Sequence, residues 1–462
     1  MDRRTFLKAA LAAGAFPMIP GCASSGVKYV ANGKVRLAAI GCGAQAGNDL
    51  FALAKHKDLC EVVALCDTDM GAKPTLEAMK KFPKLPQYRD FRKMFDEMAD
   101  KIDAVLVGTP DHSHFCAAIH AMRLGKHVYV EKPLAHSFRE CALLVEAEKK
   151  YGVVCQMGNQ GHSGDNYFQY RDYVAAGVLR DPVKIVAHMN MERRWHKWNG
   201  KVSGYPKAEK LPKTLDWESW LSAAPYHDYS KDLVRGEWRC WFDYGMGCMG
   251  DWGAHILDTF HRFSLHGDLP AEVKISNLGG WNPYVFPQQD TLTMEFPATA
   301  KHGAITLEWW EGLRNLPKPP KGFVYEDNKG LFPASTANNG LKEPKLRPGK
   351  EIYCADGTIW RGLSHASTLK RVDGAPMPKF EKSREDHYRN FLRAAKGECE
   401  AQSPFSVTGP LSQIFCLGVA AQRLGRSFKF DPSAGKAVGD EEVDRLLQGP
   451  APRKGWEEYY RG

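Results

Sequence analysis

Three side chains able to hold charge or move a proton occur in two short motifs. Lys132 lies between an acid and a proline in Glu131-Lys132-Pro133, and Asp251 precedes His255 by four positions. On a helix, residues four apart share one face, so Asp251 and His255 would reach a common neighbour. Proline favours extended backbone in the residue before it, which would aim Lys132 away from its strand end. The residue types therefore suit acid–base chemistry at a single site.

Ordinary structural roles remain open for these residues. Lys132 could be a surface lysine paired with the adjacent acid, and His255 beside Trp252 could be a core histidine. A metal site built from Asp251, His255 and Asp258 fits the spacing. No further ligand is evident in the sequence, so no metal is predicted.

The elements that must position these motifs alternate between strand and helix. Short apolar runs at 104–108, 127–130 and 153–157 are typical of buried strands, and helical stretches follow the first two. This alternation predicts a parallel, doubly wound sheet whose ligands bind at the carboxyl ends of its strands. The segments at those ends carry Thr109, Pro110, Asp111, His112 and His114, then Glu131 and Lys132, and then Asn159, Gln160 and His162. Asn159, Gln160 and His162 are candidates to bind a substrate, and the others except Asp111 are candidates to contact a cofactor.

A glycine-rich turn joins the first predicted strand, 35–40, to a helical stretch that runs from 48 to about 56. A second strand, 61–66, ends at Asp67. This order is the dinucleotide-binding fingerprint, in which glycines let backbone N–H groups and a helix N-terminus approach a pyrophosphate. The turn residues predicted to contact the cofactor are Gly41, Gly43, Ala44, Gln45 and Ala46.

Asp67 indicates which dinucleotide the fold takes. It lies 26 residues beyond Gly41, close to the place of the acid that accepts hydrogen bonds from the adenosine ribose hydroxyls. Thr68 and Asp69 follow it, so no arginine is at hand to neutralise an added 2′-phosphate. The sequence favours NAD over NADP.

Length and composition exclude several classes of protein. The chain has 462 residues, 25% charged and 43% hydrophobic, which is typical of a folded protein of two or three domains. The formal charge of +9 is spread along the chain without a basic block, which argues against nucleic-acid binding. Further strands are predicted at 183–189, 273–278, 291–296 and 303–310, and helices at 384–396 and 410–424.

The N-terminus resembles an export signal over residues 1–26. Arg3 and Arg4 precede Phe6 and Leu7, as in the twin-arginine type, and an Ala-rich apolar run follows. Residues 19–22 also resemble a lipobox in which Cys22 would be lipidated, although proline at position 20 is unusual there. Lipidation, simple cleavage and retention as a short anchor all remain open. The expected location is the periplasm, with membrane contact only through the signal or a lipid.

Together these signatures resemble the glucose–fructose oxidoreductase / inositol dehydrogenase family, Gfo/Idh/MocA. The matching pieces are the glycine turn at 41–47, Thr109-Pro110 with two histidines, Gly125-Lys126-His127, Glu131-Lys132-Pro133, and the Asp251–His255 pair. The resemblance implies an α/β protein with a Rossmann NAD-binding domain over 35–158. It implies an α+β substrate and oligomerisation domain over 159–430, built on a large open, mainly antiparallel sheet. Residues 312–350 are expected to form a loop insertion and 431–462 a poorly packed extension or an arm reaching another subunit.

The resemblance also implies roles for individual residues. Lys132 would bind the reacting hydroxyl and stabilise its developing negative charge, and His255 would take its proton as general base. Asp251 would orient His255 or hold a neighbouring hydroxyl, and the Lys132–Pro133 bond is expected to be cis. Trp195 and Trp252 belong to a tryptophan cluster that could stack on a sugar, although large aromatics are more often core. A homo-oligomer, dimer or tetramer, is expected.

Export shapes the expected function, because a free NAD pool is not expected outside the cytoplasm. We expect NAD to stay tightly bound and to be regenerated within the site. The first interpretation is an oxidoreductase acting on a CH–OH group of a sugar, glycoside or cyclitol. The alternatives are an NAD-dependent glycoside hydrolase or lyase acting by transient oxidation and elimination, and a non-catalytic carbohydrate-binding lipoprotein.

Overall fold

The computed structural model describes residues 30, 33–190, 202–312, 315–318, 320, 348–363 and 368–461. Several sequence predictions lie outside these residues: the export signal at 1–26, lipidation of Cys22, Trp195, and most of the 312–350 insertion.

The N-terminal half is built on a six-stranded sheet with strand order β3-β2-β1-β4-β5-β6, every neighbouring pair of which is parallel. The central strands are apolar and buried, because helices cover both faces of the sheet. This is the doubly wound order of a Rossmann domain, as predicted. The strands are β1 (Val35–Ile40), β2 (Cys60–Cys66), β3 (Gln87–Tyr88), β4 (Ala104–Val107), β5 (His127–Val130) and β6 (Cys155–Met157). The helices are α1 (Ala44–Lys55), α2 (Lys73–Lys81), α3 (Phe91–Met98), α4 (His114–Arg123) and α5 (Phe138–Tyr151).

The C-terminal half is built on a nine-stranded sheet with strand order β13-β12-β11-β7-β10-β9-β8-β14-β15. Only the β7–β10 pair among these nine strands is parallel, so the predicted mainly antiparallel sheet is confirmed. The strands are β7 (Pro182–Met189), β8 (Glu272–Gly279), β9 (Gln289–Phe296), β10 (Ile305–Glu311), β11 (Gly349–Cys354), β12 (Ile359–Leu363), β13 (Lys370–Arg371), β14 (Phe428–Asp431) and β15 (Lys436–Ala437).

Helices of the C-terminal half pack on one face of this sheet and against the first domain. The helices are α6 (Asp165–Ala175), α7 (Trp217–Leu221), α8 (Gly247–Ile256), α9 (Asp258–Phe263), α10 (His387–Ala395), α11 (Phe405–Leu424) and α12 (Glu441–Gln448). α10 returns to the first sheet, where Phe391 and Leu392 join the core formed by β1 and α1. Among the described residues, no helix is both long and apolar enough to cross a membrane.

The segment after residue 431 corrects the expectation of a poorly packed extension. Trp456 and Tyr459 are buried, and Trp456 packs on Phe91 of α3 at 5.9 Å between ring centroids. Tyr460 packs on Phe115 of α4 at 4.8 Å and donates a hydrogen bond to Glu140 of α5. This segment is therefore part of the first domain's surface. The expectation failed because these aromatic side chains are buried, although the sequence around them is polar and charged.

A buried carboxyl pair lies in the core of the second sheet. Asp290 of β9 and Glu311 of β10 are partners in register, and the Gln422 amide donates to both, at 2.8 and 3.0 Å. Burial raises the pKa of both carboxyl groups. The folded protein therefore keeps protons that the unfolded chain releases at the ordinary Glu pKa of about 4.3.

This pair predicts a pH dependence of stability. The pair's contribution to the free energy of unfolding should be largest below the ordinary carboxyl pKa and should be lost as the pH rises toward the raised folded values. Glu311→Gln removes one of the two carboxyl groups. We expect the free energy of unfolding of this variant to fall less with pH than that of the wild type, by about 1.4 kcal/mol for each unit by which the folded pKa of Glu311 exceeds its unfolded pKa. Urea unfolding across this pH range measures the slope. Glu381→Gln, on the surface, is the control, and equal slopes in wild type and Glu311→Gln would contradict the prediction.

Candidate active site

The glycine turn after β1 is built for a close approach of backbone. Gly41 has φ +85, and a β-carbon there would lie 2.8 Å from the carbonyl carbon of Gly108 at the end of β4. A β-carbon on Gly108 would in turn lie 2.4 Å from that of Ala46. Gly43 is the N-cap of α1 and makes no side-chain cap bond. The first N–H groups of α1 therefore face a surface kept clear of side chains, which suits a pyrophosphate.

A cavity of about 610 Å³ lies over this turn. Its lining includes Gly41, Gly43, Ala44, Gln45 and Ala46 from the turn, Asp67 after β2, and Thr109 and Pro110 after β4. The Asp67 carboxylate accepts hydrogen bonds from the backbone N–H groups of Cys42 and Asp69, at 2.9 and 3.0 Å. Its burial raises the pKa of the carboxyl group. The predicted cofactor residues of the turn thus share one cavity with the predicted ribose-binding acid, so the residues present fit a dinucleotide.

Lys132 and the Asp251–His255 pair meet at one place, although they lie more than 100 residues apart in the sequence. The Lys132 Nζ donates to Asp251 Oδ1 at 2.8 Å, and the two side chains are 11% and 7% exposed. Asp251 and His255 both belong to α8, so their side chains leave the same helix face one turn apart. His255 is buried beside Trp252, with 6.1 Å between ring centroids. The Lys132–Pro133 bond is cis, as expected.

Two glycines allow close packing, one beside the motif and one at the start of α8. A β-carbon on Gly250 would lie 3.5 Å from Pro133 and 2.2 Å from the β-carbon of Met246. Asp111 accepts a hydrogen bond from the Met246 N–H at 3.0 Å, which attaches the start of α8 to the end of β4. A β-carbon on Gly158 would collide with the Glu131 side chain. The helix is thus fixed against the strand ends that carry the predicted site.

Charge gathers around this junction. Arg239 Nε lies 3.9 Å from Asp251 Oδ1 and lines the dinucleotide cavity, so it links the cavity to the Lys132–Asp251 pair. Burial raises the pKa of Asp111 to about 6, opposed by the positive charges of Arg239 and Lys132. Sequence reasoning placed Asp111 at a strand end near the site but missed Arg239, which belongs to no motif with a chemical meaning of its own.

His112 and His114 do not line the cavity, which corrects their predicted contact with the cofactor. The His114 ring nitrogens lie 2.8 Å from the carbonyl oxygens of Pro133 and Thr109. Those of His112 lie 2.8 Å from the carbonyl oxygen of Trp220 and 3.3 Å from that of Tyr244. Burial lowers the pKa of His112 to about 3, so the ring is neutral. Both histidines fix the backbone that forms the cavity walls.

Asn159 and His162 are also placed differently from the prediction. Both are fully buried, and both bind Asp258 of α9, at 3.1 Å for the Asn159 amide and 2.6 Å for His162 Nδ1. Their side chains attach β6 to the helix after α8 and leave no exposed surface for a substrate. Gln160 is partly exposed, and its side-chain amide donates a hydrogen bond to the Glu131 carboxyl group at 2.9 Å. It therefore contacts the motif at Glu131.

Glu131 belongs to a buried network that the sequence did not reveal. Asp49 of α1 accepts hydrogen bonds from the Tyr388 hydroxyl at 2.7 Å and from Gln45 at 2.9 Å. Burial and the nearby Asp49 charge raise the pKa of Glu131 well above its usual range. The predicted contact of Glu131 with the cofactor stays a prediction.

Most of the tryptophan cluster is core. Trp217 and Trp220 stack at 4.6 Å and pack with Trp238 and Trp241 in a separate apolar cluster of the second half. Trp252 is also buried, and its predicted substrate contact stays a prediction. Among the described residues, no group of three or more His, Cys, Asp or Glu could hold a metal ion.

Comparisons with known proteins agree with this geometry. Residues 35–159 match the family model described as "Oxidoreductase family, NAD-binding Rossmann fold", and residues 166–278 match its "C-terminal alpha/beta domain". The two matches together cover just over half of the chain.

Among curated relatives, a "Glycosyl hydrolase family 109 protein" of Shewanella pealeana is 30% identical over 166 residues, 35% of this chain and 36% of the relative. An inositol 2-dehydrogenase of Salmonella typhimurium is 28% identical over 148 residues, 32% of this chain and 43% of the relative. The chain thus spans less than half the length of these relatives.

Solved structures share the fold over most of their length. The WlbA dehydrogenase from Chromobacterium violaceum, in complex with NADH and UDP-GlcNAcA, aligns with a TM-score of 0.58 at 15% identity, covering 88% of this chain and 99% of that one. The aldose-aldose oxidoreductase from Caulobacter crescentus, complexed with glycerol, aligns with a TM-score of 0.51 at 16% identity, covering 86% of this chain and 100% of that one. The chain therefore belongs to the Gfo/Idh/MocA family of oxidoreductases, and its N-terminal domain is the NAD-binding Rossmann fold of that family.

Proposed function

We propose that this protein is an NAD-dependent oxidoreductase that acts on a CH–OH group of a sugar, glycoside or cyclitol. The observation that carries the proposal is the Lys132–Asp251 ion pair at 2.8 Å, one helical turn from His255 and joined through Arg239 to the dinucleotide cavity. NAD, when bound over the glycine turn, supplies the hydride acceptor for the carbon. The named relatives and neighbours support carbohydrate or cyclitol chemistry.

The chain's own residues handle the oxygen and its proton. The ammonium of Lys132 binds the reacting hydroxyl oxygen and stabilises the negative charge that develops as the C–H bond breaks. Asp251 offsets the cost of burying that ammonium and fixes its position. The His255 imidazole accepts the hydroxyl proton, so the hydroxyl becomes a carbonyl while the hydride leaves the carbon. In the reverse direction His255 returns the proton.

Replacing His255 tests its assigned role as the general base. We expect His255→Gln to lower kcat about 100-fold, at the lower end for a general base, because water can accept the proton in its place. The acid limb of the rate–pH profile should disappear, because the imidazole must be neutral to take a proton. His302→Gln, outside the site, is the control. A variant kcat within about twofold of the wild-type kcat would contradict the role of His255.

An NAD-dependent glycoside hydrolase is the second candidate, and the likeness to two family 109 glycosyl hydrolases favours it. In that reaction, oxidation beside an acidic C–H allows elimination of the leaving group, and the carbonyl is then reduced again. The same three side chains could serve both reactions. The two candidates differ in net chemistry, since only the oxidoreductase changes the redox state of its substrate.

The decisive experiment starts from the native protein. Mass spectrometry under non-denaturing conditions should show one bound NAD per chain. A panel of polyols, aldoses and aryl glycosides is then followed at the absorbance of reduced nicotinamide. A lasting absorbance change assigns the oxidoreductase, and release of the aryl group without such a change assigns the hydrolase. Protein without nucleotide that also cannot be loaded with NAD would contradict both.

We propose in addition that the protein is exported by residues 1–26 and that Cys22 is either lipidated or lost with the signal. The paired arginines and the small residues before Cys22 support this proposal. Resident NAD fits that location, because it removes the need for an external pool. Cell fractionation combined with labelling by a radioactive fatty acid tests it, and protein confined to the cytoplasm would contradict it.

We propose a homo-oligomer formed through the second sheet. Its face opposite the helices carries paired charges across neighbouring strands, Lys184 with Glu308 at 2.5 Å and Lys274 with Glu295 at 3.2 Å. The family resemblance, which implies association through this open sheet, supports the proposal. Light scattering coupled to gel filtration gives the subunit count, and a monomer would contradict the proposal.

A further inference from the structure

One wall of the dinucleotide cavity comes from the C-terminal half of the chain. The family's NAD-binding match ends at residue 159, yet the cavity is also lined by Leu215, Ser219, Trp220, Val234, Arg235, Gly236, Trp238 and Arg239. We name residues 213–239 the strap. The strap and the glycine turn line the same cavity, so a dinucleotide there would contact both halves of the chain.

The strap is attached to the loop that follows Asp67. Asp216 N–H donates to the Thr68 carbonyl at 2.8 Å, and Met70 N–H donates to the Thr214 carbonyl at 3.2 Å. The Thr214 hydroxyl donates to Asp69 Oδ1 at 3.0 Å. These bonds close the cavity beside the acid predicted to bind the adenosine ribose. The closure therefore stands at the adenosine end of the site.

Gly71 permits this attachment. A β-carbon at Gly71 would lie 2.6 Å from both Oγ1 and Cγ2 of Thr214, well inside contact distance. The backbone of Gly71 does not have a positive φ, so the need for glycine is steric. The loop and the strap thus fit each other only without a side chain at this position.

Contacts away from the loop hold the rest of the strap. His112 binds the Trp220 carbonyl from the first domain. On the outer side, the Arg453 backbone N–H donates to the Ala223 carbonyl at 3.3 Å, and its side chain pairs with Glu218. The strap is therefore fixed in the middle and at its outer surface, while its first residues meet the Thr68–Gly71 loop through the hydrogen bonds and the glycine contact described above.

The strap also brings positive charge to the cavity. The lining contains four basic side chains, Lys73, Arg89, Arg235 and Arg239, and two acidic ones, Asp67 and Asp69. Arg235 has φ +56, a left-handed conformation that costs free energy in a residue with a side chain and is concentrated at functional sites, whereas the following Gly236 adopts φ +93 freely. A pyrophosphate between these arginines and the N-terminus of α1 would be neutralised from both sides.

We propose that the strap is the second half of the NAD site and that its first residues must detach from the Thr68–Gly71 loop before NAD can leave. This rests on the NAD-binding role of the first domain, and it explains how the nucleotide stays resident through many turnovers. Arg235 supplies a phosphate contact on the strap side. Release of NAD is then limited by opening of the strap, whereas substrate reaches the Lys132 end without it.

The test measures release of radiolabelled NAD from loaded, full-length protein after a chase with unlabelled NAD. We expect Gly71→Ala and Thr214→Val to speed release about tenfold, since one hydrogen bond or a comparable contact is lost in each. Arg235→Gln should weaken NAD binding about tenfold. Gly303→Ala, whose β-carbon would meet nothing within 4 Å, is the matched control and should release NAD at the wild-type rate.

Hydrogen exchange provides a readout that does not depend on mutation. NAD should slow exchange of the Met70 and Asp216 amides, whose hydrogen bonds close the strap. Release at the wild-type rate from folded Thr214→Val, or no added protection of these amides, would overturn the proposal. A wild-type protein that binds NAD but loses it within seconds would overturn it as well. Protein that cannot be loaded at all would instead contradict the proposed function.

Discussion

Replacing Lys132 by methionine should lower kcat about 10³-fold while bound NAD is retained. Methionine keeps the length of the side chain but cannot bind or stabilise a developing oxyanion. NAD retention should be unaffected, because the glycine turn, Asp67 and the strap supply the cavity lining and Lys132 is not part of it. Lys101→Met, on the exposed turn before β4, is the control. Turnover is measured on whichever substrate the panel identifies.

A double variant separates the chemical role of Lys132 from a structural one. Removing the ammonium leaves a largely buried Asp251 carboxylate, 7% exposed, with Arg239 Nε 3.9 Å from its Oδ1. Breaking a buried pair in this way costs about 3–5 kcal/mol at most, so the Tm should drop. Adding Asp251→Asn removes the buried charge and should restore the Tm, but it should not restore turnover. Recovery of both together would mean that Lys132 serves only the fold.

Replacing Gly41 by alanine should abolish NAD retention, and the chain contains an unusually well matched control. Gly41 and Gly33 both have φ +85, so alanine at either position carries the same left-handed penalty, about 1–2 kcal/mol. A β-carbon at Gly33 would meet nothing within 4 Å, whereas at Gly41 it would lie 2.8 Å from Gly108. Any difference between the two variants therefore reports the contact between the turn and β4.

The expected result is loss of bound nucleotide from Gly41→Ala only. Pushing the turn away from Gly108 shifts the first N–H groups of α1, which a pyrophosphate would need in place. Native mass spectrometry counts the bound NAD, and thermal unfolding confirms that both variants fold. Equal NAD content in Gly41→Ala and Gly33→Ala would show that the close approach to β4 is not required for binding.

The sequence predicted best those features whose cause lies within a few residues. The turn at 41–47 needs glycine for its φ and for its contact with β4, and Asp67 follows the very next strand, so a local pattern suffices. The two-residue β3 is too short to show such a pattern. β11 was not predicted because it lies beside an insertion whose composition is typical of a loop. The meeting of Lys132 with Asp251 followed from family likeness, since 119 residues separate them.

The errors in the predicted site share a different cause. His112, His114, Asn159 and His162 do lie at the carboxyl ends of strands, where polar side chains were expected to face a ligand. Their partners are carbonyl groups of Trp220, Tyr244, Pro133 and Thr109 and the side chain of Asp258, all set by tertiary packing. Residue type cannot tell a polar group that binds a ligand from one that satisfies buried backbone. The strap was not predicted, because none of its residues belongs to a recognisable motif.

The aromatic residues at 456–460 have a consequence for synthesis. They cover α3 and α4, and the Tyr459 and Tyr460 hydroxyls bind residues 339 and 320 positions earlier in the chain. α10 likewise completes the core of the first sheet from residues 387–395. The ribosome must therefore finish almost all of the described chain before the nucleotide-binding domain can close its apolar surface. Until then the surfaces of Phe91 and Phe115 that these aromatics cover, and the part of the β1–α1 core that α10 completes, lack their apolar partners.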